Sequence, residues 1–189
     1  MVFKTLRGLF RPQSASEGPR DTALEEATGL PTVSDRDTYR DVLRARFSAE
    51  DEAALARLHR AVDALPSKTE RLLIGVHLSQ DEEGGFHIRM HAAGPDQYVL
   101  NRAIAEWAVL FEGRTFAFVG TPANMPMFDP FDLPFPVAET LIEESIAWLE
   151  RLWARAAFTG LPCPVEVFAE DGWTEILAGP VLLAAGPEG

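Results

Sequence analysis

Cysteine is almost missing: Cys163, set between Pro162 and Pro164, is the only one in 189 residues. One thiol excludes an intramolecular disulfide and any cysteine-based metal cluster, and it suits a reducing compartment. A nucleophilic thiol needs a cationic or histidine-rich neighbourhood. The flanking prolines supply neither, so Cys163 reads as a small packed side chain. Long apolar runs are missing as well. No stretch reaches the roughly 18 apolar residues of a transmembrane helix, and the first residues lack the continuous apolar stretch of a secretory signal. The expected location is the cytoplasm.

Several motifs are missing too. There is no G-x-G-x-x-G, no G-x-x-x-x-G-K-[ST], no H-E-x-x-H and no G-x-S-x-G. Nucleotide binding through a standard phosphate loop, zincin chemistry and α/β-hydrolase chemistry therefore lose support, and neither a cofactor nor a metal is expected.

Basic residues are scarce in one part of the chain. Residues 1–69 hold eleven basic and eleven acidic residues, whereas 70–189 hold six basic and eighteen acidic, so the whole net charge of −12 belongs to the second part. Such a surface repels phosphate backbones and argues against nucleic acid. It favours a basic partner, if it does more than keep the protein soluble.

The apolar fraction of 47% is enough for one core. The reading divides the chain into an amphipathic segment and linker (1–20), a single α+β domain (21–185) and a tail (186–189). In the first segment Val2, Phe3, Leu6, Leu9 and Phe10 fall on one arc beside Lys4, Arg7 and Arg11. Residues 1–11 could thus lie on a membrane surface or dock on a partner. Two helices follow, the first capped by Ser34 and carrying Tyr39, Val42, Leu43 and Phe47. The second is capped by Ser48, with Leu55, Leu58, Val62 and Leu65.

From Arg71 the period becomes two. Leu72, Ile74, Val76 and Leu78, then Phe86, Ile88 and Met90 across the turn Asp81–Gly85, make a β-hairpin with one apolar face. Gln97–Phe111 returns to helical spacing, Arg114–Val119 is a short strand, and Val137–Phe158 is the longest helix, with an apolar arc of about 160°. Val165–Ala169 and Trp173–Leu177, joined at Asp171-Gly172, form a second hairpin. The expected order is α-α-β-β-α-β-α-β-β, with an antiparallel sheet built from two hairpins plus a short strand and packed by one long helix.

Three places invite a functional reading. On the polar face of the first hairpin stand His77, His87, Arg89 and His91. A five-residue turn would set His77 opposite Arg89. His87 and His91 are then roughly 13 Å apart at about 3.3 Å per residue, so they cannot share a metal. His77 sits diagonally from each, about 7–8 Å between Cα atoms. At most a two-histidine site forms and needs a carboxylate from elsewhere, and Arg89 at the centre suits an anion. The second place is Gly120–Pro136, which holds five prolines with Met125, Met127, Phe128, Phe131 and the pair Asp129/Asp132. A stretch this long without regular structure either plugs the core or edges a groove for a peptide or an apolar ligand. The third is the last hairpin, where Phe168 and Trp173 alternate with Glu166, Glu170 and Glu175. Aromatics among acids would meet a basic, partly apolar partner.

The reading is a non-enzymatic cytoplasmic protein-interaction module of the adaptor, immunity or chaperone kind. Its candidate binding residues are Met125, Met127, Phe128, Phe131, Phe168, Trp173, His77 and Arg89. The alternative is a small-molecule binder or an enzyme with a pocket near residues 120–136.

Overall fold

The computed structural model describes residues 35–79, 84–114, 135–169 and 181–186. The expected segment 1–20, the Pro/Met/Phe stretch up to residue 134, the strands Arg114–Val119 (beyond residue 114) and Trp173–Leu177, and the tail (beyond residue 186) lie outside these residues.

The first described element is one helix, not two: α1 spans Arg36–Asp63 without a break. Asp35 caps it, its carboxylate accepting from the Thr38 amide at 2.8 Å. The second start signal at Ser48 is not used, because a single stripe (Tyr39, Leu43, Phe47, Ala54, Leu58 and Ala61) is buried along the whole length. Asp51 fills the gap in that stripe. Its carboxylate accepts from Trp148 Nε1 at 2.7 Å and from Arg155 at 2.8 Å, a tertiary role that overrides a local cap.

The first hairpin forms as the alternation requires, with β1 at Arg71–Leu78 and β2 at Phe86–Ala93. Its register differs by two residues from the expected one. Leu78 pairs with Phe86 and His77 with His87, because Ser79 N donates to Gly85 O, which draws Gly85 out of the expected turn and into the pairing. A shift of two keeps every side chain on its face.

The next helix is shorter than its spacing implies. α2 spans Gln97–Ile104, and the residues Val109–Gly113 form β3 against β2. Leu110 and Phe111 look helical in sequence, yet as strand residues both are buried, Phe111 against Phe86 and Trp148. α3 spans Val137–Ala156 and ends with Ala157 in the left-handed region at φ 48°. β4 is Val165–Ala169 and β5 is Val181–Ala184.

The class is α+β, and the sheet is mixed, in the order β3-β2-β1-β4-β5. All pairings are antiparallel but one: β4 lies parallel to β1, with Leu72 opposite Val165 and Gly75 opposite Phe168. Hairpin signals in a sequence cannot reveal such a pairing, since it joins strands separated by β2, α2, β3 and α3.

α1 and α3 cover one face of the sheet. Phe47 stacks on Trp148 at 4.8 Å and meets Phe86 and Phe111 edge-on, and Leu72, Ile74, Ile88, Met90, Val165 and Val167 complete the core. A polar seam locks the two helices together. Glu144, 7% exposed, accepts from Arg44 Nε at 2.9 Å and Nη2 at 2.8 Å. Glu143 accepts from Arg36 and Arg40, and Arg36 also donates to Thr140. The seam attaches the helix pair as a unit, which leaves the opposite face of the sheet to carry other residues.

Candidate functional site

The strand order gathers side chains that are far apart in sequence. Along β1 the residues turned away from the helices are Leu73, Gly75 and His77, and Gly75 is flanked by Arg89 on one side and Phe168 on the other. A Cβ at position 75 would stand 2.4 Å from His77 Nε2 and 2.7 Å from Phe168 Cζ. Such distances are impossible, so the bare glycine forms the floor over which the His77 ring leans. His77 is only 7% exposed as a result of this packing and its neighbours.

Its ring touches both other histidines of the face. It stacks on His87, its cross-strand partner, with centroids 4.7 Å apart and planes at 11°. By leaning over Gly75 it also meets His91, the residue opposite Leu73, with Nε2 to Nε2 at 3.1 Å and the rings at 66°. Phe168 sets its edge against His77 at 5.8 Å and lies 6.2 Å from His91. A separation of 3.1 Å suits one Nε2–H donating to a bare Nε2, so the two rings carry different tautomers in that state. Half-buried Arg89 stands between His87 and His91 along β2, and Glu166 pairs with Arg71 at 3.6 Å on the same face.

Three of the candidate binding residues, His77, Arg89 and Phe168, therefore belong to one cluster although they come from two separate hairpin readings. Met125, Met127, Phe128, Phe131 and Trp173 lie outside the described residues. The His77 ring reaches His91 because its side chain crosses the glycine instead of standing above its own position. Among the described residues no three His, Cys, Asp or Glu side chains could together hold a metal. Cys163 is buried, and that burial raises its thiol pKa, a poor setting for a nucleophile.

Two features escaped the sequence reading. Gly75 was a signal, since a glycine inside an alternating strand marks a close approach. The other is the first turn of α2. Asp96 accepts from the Val99 amide at 3.2 Å, and the Asn101 amide pairs with both polar atoms of Ala92, at 3.1 Å from its N and 2.9 Å from its O. So anchored, α2 buries Leu100 and Ile104 and turns Tyr98 and Val99 outward. Their position off the Leu100/Ile104 stripe was the legible sign.

Residues 34–184 match the model of a family described as a family of unknown function (DUF6389), and the chain belongs to that family. The matched span takes in every helix and strand described above. No curated protein and no solved structure gives a significant match. Among the described residues no helix is long and apolar enough to cross a membrane.

Proposed function

We propose that this domain is a non-enzymatic protein-interaction module of the adaptor, immunity or chaperone kind, working in the cytoplasm. The observation that carries the reading is the outward pair on α2: Tyr98 is 76% exposed and Val99 is 54% exposed. Large apolar side chains held in water cost free energy until something covers them. Tyrosine is also a residue that concentrates binding energy at interfaces. The helix that presents the pair is fixed by the Asn101–Ala92 hydrogen bonds, so little ordering remains to be done on binding. The acidic excess of residues 70–189 adds attraction for a basic partner.

The test is affinity capture of the tagged full chain from its native cells, beside the double variant Tyr98→Ala/Val99→Ser. Both positions are exposed, so the variant should melt within about 0.5 kcal/mol of wild type. The reading expects a partner in fixed stoichiometry with the wild type, lost with the variant. Wild type recovered alone, or a partner held equally by both, contradicts it.

The convergence of His77, Arg89 and Phe168 favours a second reading, a small-molecule site on the sheet face with Phe168 as a stacking wall. A ligand that protects wild type from melting, but not Phe168→Ala, would select it over the first.

A further inference from the structure

The side chains of His77 and His91 stand in an arrangement that a hydrogen bond between two imidazoles does not exhaust. We propose that they form a two-nitrogen chelate for a divalent first-row cation with affinity for imidazole, Zn²⁺, Ni²⁺ or Cu²⁺, with water filling the remaining positions. The site is independent of the α2 surface.

The geometry carries the inference. The two Nε2 atoms are 3.1 Å apart, and that of His77 lies over Gly75. A metal about 2.05 Å from each nitrogen subtends an N–metal–N angle of about 100° at that separation. This lies between a square-planar and a tetrahedral angle, so the separation already suits two imidazoles on one ion, each ring turning off the line of the hydrogen bond to aim its lone pair at the metal. The bound state needs a lone pair on both Nε2 atoms. The proton shared between them passes to Nδ1 of its own ring, and the two neutral imidazoles then differ only in position, with no net loss of protons.

The surroundings hold this geometry. Gly75 is the reason the His77 ring can reach His91, since any Cβ there would occupy the place of its Nε2. The stacked ring of His87 closes one side of His77, and the edge of Phe168 closes another. Both histidines stand on inner strands of the sheet, whose backbone is paired on both sides of Gly75, so the ligands do not have to be assembled on binding. His87 stacks parallel to His77 and does not aim at the same point.

Charge sets the selectivity. Arg89 stands on the same face between His87 and His91, and a positive charge on that face disfavours a cation. Hard ions such as Mg²⁺ and Ca²⁺, which prefer oxygen, gain nothing from imidazole to offset that repulsion. Metals high in the nitrogen-affinity order do.

The experiment is isothermal titration of the metal-stripped full chain with Zn²⁺ and Ni²⁺, with thermal melts at each ratio. The wild type should bind one equivalent of Zn²⁺ and melt at a higher temperature. His91→Ala should weaken binding by at least about tenfold, and His87→Ala should change it far less. Arg89→Gln should tighten it by several-fold (~2–5-fold), because a repelling charge is removed; a purely structural role for the histidines would not give this result. No binding by the wild type, binding that survives His91→Ala, or weaker binding in Arg89→Gln would each overturn the proposal. A His91→Asn variant, checked for native melting, guards against a loss caused by unfolding.

Discussion

At Gly75 one methyl group decides whether the sheet face can exist. A Cβ would stand 2.4 Å from His77 Nε2 and 2.7 Å from Phe168 Cζ, so a ring must shift, and Gly75→Ala should lower stability by about 1–3 kcal/mol in urea denaturation. A variant as stable as wild type would show that the His77 ring does not lie there. Ala157 tells the opposite story. It ends α3 in the left-handed region at φ 48°, where a side chain is strained, and Ala157→Gly should raise stability by about 0.5–1 kcal/mol. Cys163 gives a pH prediction. Burial pushes its thiol above the ordinary value, while a hydrogen bond with the Leu72 backbone pulls the other way. The folded state thus binds the proton more tightly than the unfolded chain. Its contribution is complete below the unfolded pKa of about 8.5 and is lost as pH rises from there. Cys163→Ala should flatten that alkaline slope, and a thiol reagent should react with wild type only as fast as it unfolds.

At the scale of elements the helix pair should respond most strongly. Phe47 touches Phe86, Phe111 and Trp148 at once, so Phe47→Ala should cost about 3–5 kcal/mol, measured by chemical denaturation. Glu144 is buried between Arg40 and Arg44, whose outer parts reach water, and Glu144→Gln should cost about 1–3 kcal/mol. The elements differ in how plainly the sequence announces them. β1 and β2 are legible because one face is purely apolar and buried against the helices while the other carries glycine, histidine and arginine. The start signal at Ser48 misleads because capping chemistry is local, whereas Asp51 is committed to Trp148 and Arg155 on another helix. Leu110 and Phe111 fit a helical spacing equally well. Only the free edge of β2, which accepts them through the bond from Met90 N to Ala108 O, makes them a strand.

Over the whole molecule the candidate site is a consequence of topology. His77 and Arg89 share a face through the first hairpin, but Phe168 joins them only because β4 lies parallel to β1, a pairing across some ninety residues that no local pattern encodes. The charge division is legible at this scale, with the whole net charge of −12 in residues 70–189. What Phe168 adds to the sheet face rests on that parallel pairing, whereas the His77–His91 contact belongs to the first hairpin. The most direct test is isotope-edited nuclear Overhauser spectroscopy on the full 20.8 kDa chain. The account predicts backbone contacts between Gly75 and its β4 neighbours Val167 and Phe168, with ring contacts from His77 to both His91 and Phe168. If β1 shows contacts to β2 alone, and Phe168 shows none to His77, the face described here does not exist.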